Sequence, residues 1–127
     1  MIINTPVSLG ELIDKISILK IKKKNIVDKK KLHFINVELF LLEKTLSESL
    51  QDKKISEFLY KLIEVNSKLW KIEDNIRDCE RNKKFDQKFI DLARAVYFTN
   101  DQRSAIKLEI NNHFGSNIVE IKSYEKY

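Results

Sequence analysis

The stretch SEFLYKLIEVNSKLWKIEDNIRDCE, residues 56–80, decides the fold. Its apolar residues Phe58, Leu62, Val65, Leu69, Ile72, Ile76 and Cys79 recur at alternating steps of four and three. That spacing stacks side chains on one face of an α-helix. With Ser56 placed to cap it, a helix is predicted over about 57–81.

Upstream, Leu32, Ile35, Leu39, Leu42, Leu46 and Leu50 keep the same alternation behind Asp28, which is placed to cap, predicting a helix over 29–51. Phe34, Val37, Phe40 and Leu41 widen its stripe beyond a thin seam, so this helix is expected to be buried on more than one side. Nearer the start, Ser8 and Glu11 have the spacing of a capping box, and Val7 and Leu12 that of a hydrophobic staple. Leu9, Leu12, Ile13, Ile16 and Leu19 then mark a buried face, for a helix over 9–25.

Downstream, Arg81 to Lys84 break the pattern and Asp86 can cap again. Phe89, Leu92, Val96, Ile106 and Ile110 mark a further face, which Gly115 stops. Thr99 to Gln102 have the spacing of another capping box, so this face is read as two helices, 86–98 and 100–114, or as one unbroken helix. The tail, 116–127, has no helical period; Ile118, Val119 and Ile121 are expected to lie extended across the bundle or against a partner. The expected fold is all-α: an antiparallel bundle of four to five helices with a short extended C-terminal tail, one domain over 1–127.

At 127 residues and 43% hydrophobic content, the chain has enough apolar side chains for one core. Cys79 is the lone cysteine and only His33 and His113 accompany it, so neither an intramolecular disulfide nor a zinc set is available and no cofactor is called for. Met1 to Pro6 lack a charged, apolar leader, and no apolar run nears the roughly 20 residues of a membrane span. The expected setting is the cytoplasm, with no membrane partner.

The net charge of +5 comes mainly from lysine, concentrated at Lys20, Lys22, Lys23, Lys24, Lys29, Lys30 and Lys31. Such a run can meet nucleic acid, but in a chain rich in Lys, Asn and Ile it reads more simply as solvated helix ends. The four arginines, Arg77, Arg81, Arg94 and Arg103, all fall in the C-terminal half. There the planar guanidinium fork, rather than charge alone, is the expected reason for them.

Beside the seam of the 57–81 helix run Asn66, Trp70, Glu73, Arg77 and Glu80, each three or four residues from the last. An aromatic plane next to a guanidinium and carboxylates suits a nucleobase, sugar or phosphate; the plainer reading is an amphipathic border with Glu73 paired to Arg77. Further on, Val96, Asn100, Arg103, Lys107 and Ile110 form a line that begins and ends apolar. Arg103 and Lys107 must therefore meet carboxylates, an anion or water, with Glu73, Asp74, Glu80, Glu11 and Asp14 as available partners. An internal ion-pair network fixing helix register and a ligand site are both open. Arg94 and Tyr97 lie close enough in sequence to extend either.

There is no glycine-rich phosphate loop and no nucleophile motif, so the chain reads as non-catalytic. Glu11 and Asp14 have a spacing that can hold magnesium in helical nucleotide pyrophosphatases, but the second acidic pair those enzymes need is missing. Cys79, at a seam position, reads as core.

Three segments, PVSLGELIDK (6–15), LWKIEDNIR (69–77) and LARAVYFTNDQR (92–103), resemble a bacterial and phage family of small proteins of unknown function. Its members are often encoded near, or fused to, sugar-transfer enzymes of surface-polysaccharide synthesis. The resemblance spans nearly all of the chain. It implies that Glu11, Asp14, Lys15, Trp70, Glu73, Asp74, Arg77, Arg94, Tyr97, Asn100, Asp101 and Arg103 occupy motif positions, and that the lysine run lies outside them.

The function expected from these readings is binding of a small anionic metabolite, a nucleotide, nucleotide sugar or nucleotide immune signal. Trp70, Glu73, Asp74, Arg77, Arg94, Tyr97, Asn100, Asp101, Arg103 and Lys107 would contact it, supported from behind by Glu11, Asp14, Lys15, Asn66 and Glu80. In a phage such a module would sequester the signal. The alternatives are a helical adaptor that docks a glycosyltransferase or forms a homo-oligomer, and nucleic-acid binding through residues 20–31.

Overall fold

The computed structural model describes residues 1–127 and is all-helical, with four helices and no strands: α1 (Leu9–Asn25), α2 (Lys29–Ser49), α3 (Lys54–Arg81) and α4 (Gln87–Phe114). Ser8 caps α1 by accepting from the Glu11 amide at 3.1 Å, and Asp28 caps α2 by accepting from the Lys31 amide at 2.9 Å. Asp86 accepts from the Phe89 amide at 3.3 Å to start α4. Gly115 ends α4 at φ 66°, in the left-handed region that only glycine enters cheaply.

The helices form a bundle with α1 at its centre, since α1 packs against α2, α3 and α4 while α2 packs on α1 alone. The core joins Leu12, Ile13, Ile16 and Leu19 of α1 to Ile35, Leu39 and Leu46 of α2, Phe58, Leu62 and Val65 of α3, and Ile110 of α4. Three neighbours bury α1 on more sides than its five-residue apolar stripe requires, and Asp14, Ser17 and Ile21 are enclosed as well. α4 runs antiparallel to α1: Gly10 lies beside Asn111, Glu11 beside Lys107 and Asp14 beside Arg103. It is antiparallel to α3 too, with Phe58 against Phe114 and Lys61 beside Glu109.

Three expectations need correction. The fourth helical segment is unbroken from Gln87 to Phe114, and Thr99 is buried within it rather than acting as a cap. Tertiary contact with α1 and α3 along its length outweighs the local capping signal. α3 starts at Lys54, before Ser56; the Asp52 carboxylate accepts from the Lys54 amide at 2.8 Å, and no side chain caps from the N-cap position itself. Finally, α2 is buried on one side only: Phe34 and Phe40 are 72% and 66% exposed, because no helix covers the face opposite α1.

Residues 116–127 carry neither helix nor strand. Glu120 reaches Lys107 at 3.1 Å, and the Tyr127 ring lies 5.4 Å from Tyr97 and 4.9 Å from Phe98. No helix is long and apolar enough to cross a membrane.

Candidate functional site

The polar groups that interrupt the core stripes meet where α1, α3 and α4 touch. Asp14 has no exposed surface. Its carboxylate accepts from Arg103 Nε at 3.0 Å and from Arg103 Nη2, a two-point pairing that matches the guanidinium fork, and from Asn66 Nδ2 at 2.9 Å. Asn66 also donates to Ser17 Oγ at 2.7 Å, and that hydroxyl donates to the Asp14 carbonyl at 2.6 Å. The hydrogen bonds to Asp14, then its charge, outweigh burial and raise the Arg103 pKa still further above its ordinary value, so the guanidinium stays charged.

A second pairing lies one turn away. Lys107 donates to Glu11 at 2.6 Å and to Glu120 at 3.1 Å. Burial, the largest single influence on Lys107, favours the neutral amine, but the hydrogen bonds to Glu11 and Glu120 together overcome it and the net direction is upward. Beyond it, Gly10 brings α1 and α4 into close contact. Its amide donates to Asn111 Oδ1 at 2.7 Å, and a Cβ there would stand 2.5 Å from the Lys107 carbonyl oxygen. No buried side-chain nitrogen or oxygen lacks a hydrogen-bond partner. The network therefore satisfies itself and acts as a scaffold.

On top of this scaffold lies a cleft of about 520 Å³, lined by Ile18 and Ile21 of α1, Asn66, Leu69, Trp70, Glu73, Asp74 and Arg77 of α3, and Val96, Tyr97, Asn100 and Arg103 of α4. The volume falls within the range of small-molecule pockets. Its lining divides evenly between hydrophobic side chains, Ile18, Ile21, Leu69, Trp70, Val96 and Tyr97, and polar or charged ones. Arg103 is a quarter exposed here. Since Asp14 engages Nε and Nη2, the donors left for the cleft are chiefly those of Nη1, which Asn100 meets only at 3.4 Å. Arg77 is 71% exposed, and its ion pair is a 3.9 Å contact with Glu73. Such a pair contributes little and exchanges readily for another anion.

Of the residues expected to contact a ligand, Trp70, Glu73, Asp74, Arg77, Tyr97, Asn100 and Arg103 line this one cleft. Arg94, Asp101 and Lys107 do not. Arg94 lies 5.9 Å from the Phe98 ring in solvent, Asp101 accepts from the Tyr127 hydroxyl, and Lys107 is held by its two carboxylates beside a separate hollow. Among the supporting residues, Glu11, Asp14 and Asn66 belong to the network, with Asn66 also on the cleft wall. Lys15 is exposed on a shallow hollow, and Glu80 pairs with Lys83 in solvent. Glu11 and Asp14, weighed above as metal ligands, each face a cation of α4.

Ser17, Asn111, Glu120, Ile18 and Ile21 were not anticipated. Ser17 could have been found, since it follows Asp14 by three residues and so shares its face. Glu120 had no periodic neighbour to betray it. Comparison with models of known families, with curated proteins and with solved structures returns no match.

Proposed function

We infer that this protein is a non-catalytic binding module for a small anionic metabolite, a nucleotide or nucleotide sugar, held in the α1–α3–α4 cleft. The observation that carries this reading is the convergence of Trp70, Tyr97, Arg77 and Arg103 on one cleft, with Arg103 fixed from behind by a fully buried Asp14. Trp70 and Tyr97 offer flat surfaces for a base. Arg77 and the outer edge of Arg103 offer donors to a phosphate, and Glu73 and Asp74 accept from sugar hydroxyls or base amines.

The charges refine the ligand class. Arg77 and Arg103 line the cleft against Glu73 and Asp74, so its formal charges cancel before Asp14 is counted. A bare inorganic anion gains little net attraction there, whereas a ligand carrying both a phosphate and several hydroxyl or amine donors meets complementary groups at both ends. In a phage such a module would withdraw a nucleotide signal; in a bacterium it would serve a sugar-transfer enzyme of surface-polysaccharide synthesis.

Native mass spectrometry of the protein taken gently from its own host cells tests the reading. A retained mass matching a nucleotide or nucleotide sugar, lost in a folded Arg77→Ala variant, is the expected result. A protein that is free of small molecules and stays so when UMP, AMP and UDP-glucose are added overturns it.

A further inference from the structure

The outer face of α2 has no partner within the fold. α2 touches only α1, and its buried residues Ile35, Leu39 and Leu46 all point that way. Opposite them, Phe34 (72% exposed), Val37 (46%) and Leu41 (36%) form one apolar strip, with Phe40 at its side. Contiguous apolar surface of this kind marks an interaction site more often than isolated exposed residues do.

The charges at the ends of the strip say what covers it. The first turn of α2 holds Lys29, Lys30 and Lys31 and no acid, and the last turn holds Glu48 and no base. This opposes the helix macrodipole, which favours acids at the N-terminus and bases at the C-terminus; only the Asp28 cap offsets it. Lys30 and Glu48 are also 18 residues apart, which is five full turns at 3.6 residues per turn, so they lie on one line along the helix. Val37 and Leu41 flank that line, and both pairs are centred on residue 39, the midpoint of α2. A strip with this symmetry is complementary to itself when turned end over end.

We propose that α2 pairs antiparallel with α2 of a second copy of this chain, about a two-fold axis level with residue 39. Lys30 then meets the partner copy's glutamate at position 48, and the reverse, while Val37 packs on the leucine at position 41. Phe34 falls opposite Lys44, whose aliphatic stem covers the ring. The two macrodipoles oppose each other, and the misplaced end charges of each helix find counter-charges on the other. The cleft is lined by α1, α3 and α4 and by no residue of α2, so ligand binding and pairing are separable.

Sedimentation of the full chain from low micromolar to millimolar concentration tests the proposal, together with Val37→Glu, Lys30→Glu, and the double swap Lys30→Glu with Glu48→Lys. Wild type should dimerise. Val37→Glu should raise the dissociation constant by roughly two orders of magnitude or more, with the helical circular-dichroism signal unchanged because the side chain is surface-exposed. Lys30→Glu should weaken pairing roughly tenfold, and the double swap should restore most of it. For direction, an equimolar mixture of Lys30→Cys and Glu48→Cys chains should form mixed disulfide dimers, and Lys30→Cys alone should not. A wild type that is monomeric throughout, a dimer indifferent to Val37→Glu, a swap that fails to restore pairing, or self-linking of Lys30→Cys each overturns it.

Discussion

Removing Arg103 should be among the most damaging single changes in this chain, and its cost can be set from the geometry. In Arg103→Ala, the Asp14 carboxylate loses two charged hydrogen bonds and keeps that from Asn66, while remaining in a position with no exposed surface. Breaking a buried ion pair from one side typically costs about 3–5 kcal/mol, because a charge is left buried without its partner. Arg103 itself is a quarter exposed, so water can enter from the cleft once the guanidinium is gone, which places the expectation at the lower end, about 3 kcal/mol. Against a domain stability of roughly 5–15 kcal/mol, that shifts the urea midpoint clearly without abolishing folding in most of the range. Asp14→Asn should also destabilise, and the double variant Asp14→Asn with Arg103→Ala should cost less than the two single losses together, by about 1–3 kcal/mol. Equilibrium urea unfolding of the four proteins completes the cycle. An Arg103→Ala loss below about 1 kcal/mol, or strict additivity, would refute the idea that this pair locks α1 to α4.

Three further outcomes are expected. Gly10→Ala should destabilise by about 1–3 kcal/mol in urea melts although alanine favours helix by about 1 kcal/mol, because its Cβ would stand 2.5 Å from a backbone oxygen of Lys107 that cannot swing aside. Glu120 is held below its ordinary 4.5 by hydrogen bonds from Lys122 and Lys107, so its contribution is fully present above 4.5 and is lost as pH falls through the lowered value; the stability gap between wild type and Glu120→Gln should be flat near neutrality and close at acid pH. At the start of α3, Asp52→Ala should cost about 0.5–2 kcal/mol by removing the acceptor for the Lys54 amide, whereas Ser56→Ala, at an exposed position inside the helix, should stay within about 0.5 kcal/mol; thermal melts distinguish the two.

The helices were legible because the signals for them are local. The four-three alternation from Phe58 to Cys79, the Ser8, Asp28 and Asp86 caps and Gly115 depend on neighbours a few residues away. Which faces are covered is a tertiary question, and there local reading failed in both directions. α1 shows a modest stripe yet is enclosed by three helices, while α2 shows a broad one and packs on a single neighbour. Thr99 to Gln102 carry a genuine capping pattern, overruled by packing along α4. For the site, a guanidinium on an interrupted core stripe was enough to demand a partner for Arg103, and Asp14 was among those named; spacing could not choose it over Glu73, since the choice rests on how α1 and α4 align. Lys107 followed the same logic but was satisfied by Glu11 and by Glu120, from a tail with no periodicity to place it.

The most direct test of the binding reading uses the single tryptophan of the chain, Trp70, which lines the cleft. Titrating the wild-type protein with UMP, AMP, UDP-glucose and inorganic phosphate while following Trp70 fluorescence should give a saturable change with a nucleotide or nucleotide sugar and none with phosphate. The response should weaken at least tenfold in Arg77→Ala, whose fold the exposed position of Arg77 leaves intact. Fluorescence unmoved by all four compounds up to millimolar concentration, or a response that Arg77→Ala leaves unchanged, would contradict the assignment of this cleft as a nucleotide site.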